Sequence, residues 1–141
     1  DLDTAMLAAG PWPRLQPGEE LVLPAPVFFH AGYTDLETGE VVLLPLRERR
    51  DVIFYGPKLP VPAGLYRIRA AYRTEAADGT ILGRMSVRDL GTAENGQADI
   101  VAGQKAETIY RHRVNFPLTL DVFYSRAAPL RLSRISITRL E

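Results

Sequence analysis

The strongest constraint on the fold is an alternation of apolar and charged residues across residues 64–73. Tyr66, Ile68 and Ala70 fall at every second position, and arginine occupies the positions between them. Successive side chains of a β-strand point to opposite faces, so this period predicts a strand that is buried on one side only. Short segments of strand character, each bounded by turn residues, continue to the end of the chain, and no segment after residue 18 has a helical period.

The other segments with strand character are EELVLP, PVFFH, VVLLPL, VIFY, ILGRMSVRDL, ADIVA, ETIYRHRVNF, LTLDVFY and LRLSRISITRL. Turn signals separate them about every ten residues, and no helix lies between strands, which argues against a parallel α/β sheet. We therefore predict an all-β fold, an antiparallel two-sheet β-sandwich of the jelly-roll kind.

Local features refine this prediction. The AADGT segment, with its Asp-Gly pair, is typical of a β-hairpin turn. In the last strand, Leu130 and Leu132 are out of phase with Ile135 and Ile137, which predicts a bulge near Ser133. The aromatic residues that we assign to the core are Phe28, Phe29, Tyr66, Tyr72 and Phe116.

We predict that residues 1–18 are a separate N-terminal segment and that residues 19–141 are the β-sandwich domain. DLDTAMLAAG has the composition of a short helix, and PWPRLQPG ends it because proline removes backbone donors. Trp12, the only tryptophan, is expected to seal one end of the core. The chain begins at Asp1 rather than at Met, so we expect it to be part of a longer protein.

Composition excludes several classes of function. The 141 residues suffice for one domain with a core, and 17 basic residues balance 17 acidic ones. A neutral chain does not bind nucleic acid by bulk attraction to phosphate, so no nucleic-acid partner is predicted. No apolar run approaches the roughly 20 residues of a membrane span. Cysteine is absent, which excludes disulfides and thiolate chemistry.

No catalytic residue is predicted. Most acidic residues lie in turns, and the strand residue Asp89 shares a side with Met85 and Val87, where a hydrogen-bonded structural carboxylate is expected. His30 and His112 have no spacing typical of a metal site, so no metal ligand and no cofactor are assigned.

Arginine is the feature of the sequence that most suggests binding. Only Lys58 and Lys105 among the 17 basic residues are lysine. Six arginines lie opposite apolar residues on three predicted strands, namely Arg67, Arg69, Arg84, Arg88, Arg111 and Arg113. If these strands share one sheet, the guanidinium groups form one wall that can bind carboxylates, phosphates or sugar hydroxyls. The alternative is that each is a solvated residue paired with an acid on a neighbouring strand.

Aromatic residues near strand ends offer a second way to hold a sugar, because C–H faces of sugars stack on aromatic rings. Tyr33 and Tyr55 are the two that we include among the candidate ligand-binding residues. Tyr55 precedes Gly56-Pro57, so it can alternatively tie a corner of the chain.

The segments LPVPAGLYRIRAAY, NFPLTLDVFY and APLRLSRISITRL, in this order, resemble strands of carbohydrate-binding-module jelly rolls of the galactose-binding-like type. The corner YGPKLPVPAG is similar to β-sandwich domains attached to bacterial glycosyltransferases and polysaccharide-processing enzymes. The resemblance covers residues 50–141.

This resemblance implies a non-catalytic module that binds or targets a polysaccharide or oligosaccharide, including acidic ones, for a catalytic domain of the same parent chain. It is also compatible with a structural calcium, for which the sequence gives no position. The alternative is a structural or oligomerisation domain without a glycan ligand. A glycan hydrolase or lyase is a third hypothesis, and it requires a cluster of carboxylates or histidines in a cleft.

Overall fold

A computed structural model describes residues 15–89, 95–113 and 117–141, and in these residues eleven strands form two antiparallel sheets. The described strands are β1 (Glu20–Pro24), β2 (Phe29–His30), β3 (Tyr33–Thr34), β4 (Val41–Leu43), β5 (Val52–Tyr55), β6 (Gly64–Arg73), β7 (Ile81–Asp89), β8 (Asn95–Val101), β9 (Ala106–His112), β10 (Leu118–Tyr124) and β11 (Leu130–Arg139). The predicted all-β sandwich is confirmed. The predicted N-terminal helix, Trp12 and Phe116 lie outside the described residues.

Helical structure in the described ranges is limited to one 3-10 turn, Ala25–Val27. Within those ranges, no helix combines the length and the apolar character that crossing a membrane requires.

One sheet has six strands, in the order β3-β4-β11-β6-β9, and β1 also pairs with β11. The alternation on β6 is confirmed, because Tyr66 and Ile68 are fully buried whereas Arg69 is exposed. The pairing of β11 with β6 shifts register between Leu132 and Arg134, which confirms the bulge predicted near Ser133.

The other sheet has five strands, in the order β2-β5-β10-β7-β8. Its central strand β10 alternates without interruption: Leu118, Leu120, Val122 and Tyr124 are buried. The residues between them are only partly buried and point outward, which gives this sheet an apolar inner face and a polar outer face.

The core lies between the two inner faces. Phe28 and Phe54 stack there with ring centroids 4.6 Å apart. Two fully buried tyrosines place their hydroxyls on backbone carbonyls, since Tyr66 donates to Pro62 O at 2.5 Å and Tyr124 donates to Ala128 O at 2.6 Å. Both tyrosine hydroxyls therefore have a hydrogen-bond acceptor, although their rings are buried.

Two local predictions are wrong. The Asp78-Gly79 turn does not close a hairpin, because the strands it joins, β6 and β7, lie in different sheets. Gly79 N instead donates to Ala102 O, so the turn carries the chain across the sandwich. Phe29 is not a core residue, since Phe28 points inward and its neighbour on the two-residue strand β2 must point outward, where it is 49% exposed.

Candidate functional site

The six predicted arginines do not share one surface, because the strands that carry them divide between the two sheets. Arg67 and Arg69 on β6 and Arg111 on β9 belong to the six-stranded sheet. Arg84 and Arg88 on β7 belong to the five-stranded sheet. The condition for a single guanidinium wall, that these strands share one sheet, is therefore not met. Alternation places each side chain on an outward face, but it does not say which strands pair.

On the six-stranded sheet, three of the arginines pair with acids, one on the neighbouring strand β9 and one at the end of the chain. Arg67 Nε and Arg69 Nε lie 3.1 Å and 2.9 Å from the same Glu107 Oε1. Arg111 Nη2 lies 2.8 Å from Glu141 Oε2. Arg113 is exposed and directly follows β9. For the first three, the alternative of a solvated, acid-paired residue describes the geometry.

The outer face of the five-stranded sheet forms a groove of about 440 Å³, which we call the five-stranded groove. Two ion pairs run across it between adjacent strands. Arg84 Nε lies 3.2 Å from Asp99 Oδ1, and Arg88 Nη2 lies 3.1 Å from Asp121 Oδ2. Two of the predicted ligand-binding arginines therefore meet here, held in place by carboxylates of β8 and β10.

The floor of the five-stranded groove is a polar row across three strands. Asp121 on β10, Ser86 on β7 and Gln97 on β8 are register partners. Ser86 is only 7% exposed, and the Asp121 side chain is 21% exposed. Burial raises the pKa of the Asp121 carboxyl above its usual range, and the adjacent Arg88 guanidinium opposes that shift. The floor therefore offers donors and acceptors that are partly shielded from water.

An exposed aromatic pair extends this row. Phe29 on β2 is the register partner of Tyr55 on β5, which in turn is the register partner of Asp121. The two rings stack with centroids 5.4 Å apart, and each residue is about half exposed, 49% for Phe29 and 51% for Tyr55. A flat apolar surface thus lies next to the polar floor of the groove, on the same face of the sheet.

A third ring lies inside the five-stranded groove. Phe123 of β10 is one of the lining residues, and the guanidinium carbon of Arg50 lies 5.2 Å from its ring centroid. The other two cations of the groove, Arg84 and Arg88, each have a carboxylate partner. Among the described residues, Arg50 instead contacts an aromatic ring. Arg50 and Phe123 therefore form a cation–π contact among the residues that line the groove.

Sequence reasoning missed Phe29, Phe123, Asp121, Ser86 and Arg50. Two signals could have found some of them. In PVFFH, two adjacent phenylalanines of one strand cannot both face the core, so one of them had to be exposed. In LTLDVFY, the aspartate and the second phenylalanine alternate with buried residues and so face outward together.

Tyr33 lies on the other sheet, in a separate pocket of about 280 Å³ that also includes Arg73 and Arg131. These cations are already engaged. Arg73 donates from Nε and Nη2 to the buried Glu40 carboxylate, at 2.7 Å each, and Arg131 Nη1 lies 3.1 Å from Asp35 Oδ2. Tyr33 and Tyr55 therefore lie on different sheets, and none of the six predicted arginines lines the Tyr33 pocket, which is organised around internal ion pairs.

Asp89 is the structural carboxylate that was predicted. It is 2% exposed and accepts a hydrogen bond of 2.9 Å from the Tyr110 hydroxyl. His112 is 1% exposed, and its Nδ1 lies 3.5 Å from Asp89 Oδ2. Across the described ranges, no group of three or more histidine, aspartate or glutamate side chains has the arrangement needed to hold a metal ion.

No protein-family model matches this sequence, and no curated protein does. Solved structures match it over most of its length. A CBM35 from Cellvibrio japonicus Abf62 is 13% identical with a TM-score of 0.61, and the match covers 85% of this chain and 93% of that one. The C-terminal CBM6 of LamC, a laminarinase from Zobellia galactanivorans, is 16% identical with a TM-score of 0.54, over 86% and 100% of the two chains.

A third match is a carbohydrate-binding module of the Cellvibrio mixtus lichenase 5A, whose structure is in complex with cellotriose. It is 15% identical with a TM-score of 0.50, over 86% of this chain and 98% of the module. At such low identity these matches establish the architecture alone. The chain has the β-sandwich fold of the carbohydrate-binding modules of glycan-processing enzymes, as the sequence resemblance implied.

Proposed function

We propose that this chain is a non-catalytic carbohydrate-binding module of a larger glycan-processing protein, and that it holds a sugar chain in the five-stranded groove. The observation that carries the proposal is the exposed Phe29–Tyr55 stack beside the half-buried Asp121 on one sheet face. Three of the predicted ligand-binding residues, Tyr55, Arg84 and Arg88, belong to this site. The fold shared with carbohydrate-binding modules supports the same class of ligand.

The chemistry of a sugar ring fits these two parts of the face. Its C–H faces are apolar and pack on aromatic rings, which supplies burial without a polar partner. Its hydroxyls each donate and accept, so they need both kinds of partner in one place. The Arg88–Asp121 ion pair provides guanidinium donors and carboxylate acceptors 3.1 Å apart.

The two ion pairs on the groove floor favour neutral sugars there. Arg84 and Arg88 each have a carboxylate within 3.2 Å, so neither requires an anionic ligand for neutralisation. The carboxylates Asp99 and Asp121 are likewise each engaged by an arginine. This arrangement supports binding of hydroxyls rather than acid–base catalysis by a pair of free carboxylates.

A glycan panel tests the proposal. Affinity electrophoresis and calorimetry with cellotriose, β-glucans, xylans and mannans are expected to show binding to at least one neutral glycan. The far-UV spectrum and a cooperative thermal transition establish that the protein tested is folded. A folded protein that binds none of these glycans would overturn the proposal and favour a structural or oligomerisation domain, which light scattering would show as a stable oligomer.

Substitutions then locate the site. Tyr55→Ala removes half of the aromatic platform, and Asp121→Asn removes the charge of the acceptor on the floor. We expect each to lower the affinity about tenfold or more, since about 1.4 kcal/mol of lost contact corresponds to a factor of ten. Tyr33→Ala is the matched control, because this tyrosine is 41% exposed on the opposite sheet. Loss of affinity in Tyr33→Ala but not in Tyr55→Ala would place the sugar elsewhere.

A further inference from the structure

The outer face of the six-stranded sheet carries a second concentration of charge, unrelated to the groove. Arg67 and Arg69 on β6 share the single carboxylate of Glu107 on β9. Arg134 is exposed on β11, where its register partner on β6 is Ala71, two residues from Arg69. We call these residues, together with Lys105 in the turn before β9, the cationic patch.

The cationic patch is unbalanced. It contains four cations, Arg67, Arg69, Lys105 and Arg134, against one carboxylate, Glu107. In the described ranges, neither Lys105 nor Arg134 has a carboxylate within ion-pair distance. Positive charge is therefore in local excess at this patch, although the chain as a whole has a net charge of zero.

The patch also has a shape that admits a ligand. A depression of about 250 Å³ lies between Arg69 and Lys105, and Ala71 forms part of its lining. The small alanine side chain leaves the two flanking cations accessible from above. Ser136 on β11, the register partner of Arg69, points to the same face and adds a hydroxyl that donates or accepts.

We infer that the cationic patch binds the anionic groups of an acidic polysaccharide, with guanidinium and ammonium donors on carboxylate or sulfate oxygens. Neighbouring strands lie about 4.8 Å apart, so cations on β11, β6 and the turn before β9 form a row across the sheet that suits a linear polymer with repeated charges. The preference for a glycan over an acidic peptide rests on the proposed function, whereas the need for an anionic partner rests on the patch alone.

Calorimetry with three polymers of different chemistry tests this inference: polygalacturonate, dextran sulfate and poly-glutamate. Binding to polygalacturonate or dextran sulfate is expected, and the stronger of the two identifies the anion as carboxylate or sulfate. Unmodified dextran serves as the uncharged control for dextran sulfate. Binding to poly-glutamate in preference to both glycans would overturn the inference and make the patch a docking surface for an acidic protein.

Substitutions that reverse the charge of single residues show where polygalacturonate binds. Arg134→Glu and Lys105→Glu, made as separate single variants, are each expected to weaken polygalacturonate binding about threefold or more, because an uncompensated cation becomes an acid. Arg49→Glu is the matched control, since Arg49 is an exposed arginine of the β4–β5 loop with no ion pair among the described residues. An equal loss in Arg49→Glu would show that net charge alone drives binding, which would also overturn the inference.

Glu107→Gln gives a test in the opposite direction. It removes the one carboxylate of the patch and releases Arg67 and Arg69 from their shared partner, so we expect polygalacturonate affinity to rise about threefold or more. Unchanged or weaker binding by a folded Glu107→Gln protein counts against the patch. The Tyr55→Ala variant separates the two hypotheses, because it impairs neutral-glycan binding in the groove and leaves polygalacturonate binding intact.

Discussion

Glu40 is a carboxylate that the fold buries together with its partners. It directly precedes β4 and is 5% exposed, and it accepts two hydrogen bonds from Arg73 and a third, at 3.2 Å, from Arg131 Nη1. The hydrogen bonds from Arg73 lower the pKa of Glu40 to about 2, although burial acts in the other direction. One side chain thereby ties the β3–β4 hairpin to β6 and β11.

Replacement of this carboxylate is expected to make stability less sensitive to acid. The folded pKa of Glu40 lies below its ordinary value of 4.5, so its contribution is present at neutral pH and is lost as the pH falls from about 4.5 through about 2. Because Arg73 is largely exposed, we expect Glu40→Gln to lower the free energy of unfolding by about 2 kcal/mol at pH 7 rather than by the full linkage value.

Urea denaturation at pH 7 and near pH 2.5 measures this effect, and the difference between wild type and Glu40→Gln should shrink at the lower pH. Glu37→Gln is the control, because Glu37 is an exposed glutamate three residues earlier in the same hairpin. Parallel pH profiles for wild type and Glu40→Gln would contradict the role assigned to the buried carboxylate.

At the scale of strands, periodicity predicts which residues face inward, but not which strands are neighbours. The alternation on β6 and β10 and the bulge near Ser133 follow from side-chain direction and could be predicted. Sheet membership could not, because a sandwich repeatedly sends the chain from one sheet to the other: β6 pairs with β9 and β11, while β7, which follows it directly, pairs with β8 and β10. For this reason the arginines do not share one wall, and the Asp78-Gly79 turn does not close a hairpin.

Close approach between β7 and β10 gives a prediction at this scale. A Cβ atom at Gly83 would lie 2.1 Å from the Phe123 carbonyl oxygen, which is backbone and cannot swing aside. Gly83→Ala is therefore expected to separate the two strands locally and to lower the free energy of unfolding by about 2 kcal/mol or more. Chemical denaturation measures the loss, and hydrogen exchange should show weakened protection confined to β7 and β10.

Gly39→Ala is the comparison for this substitution. Gly39 has a φ of 74° in the β3–β4 turn, and nothing lies within 4 Å of its added Cβ, so the cost there is conformational only, about 1 kcal/mol. If Gly83→Ala cost no more than Gly39→Ala and left exchange protection unchanged, steric contact between β7 and β10 would not be what requires glycine at residue 83.

At the scale of the whole molecule, the two proposed surfaces are separated by the hydrophobic core. The five-stranded groove opens on one outer face, and the cationic patch lies on the other sheet. Sheets of a sandwich pack about 10 Å apart, so ligands on opposite faces do not touch. The two surfaces are therefore expected to act independently.

If the two surfaces are independent, binding of their ligands should respond differently to salt, and the two ligands should not compete. Raising sodium chloride from about 0.05 to about 0.5 M shortens the screening length several-fold, so polygalacturonate affinity should fall about tenfold or more while binding of the neutral glycan selected by the panel changes less than about twofold. Saturating polygalacturonate should leave the dissociation constant of the neutral glycan unchanged in calorimetry. Mutual exclusion of the two ligands would contradict this independence and would indicate that they share one surface.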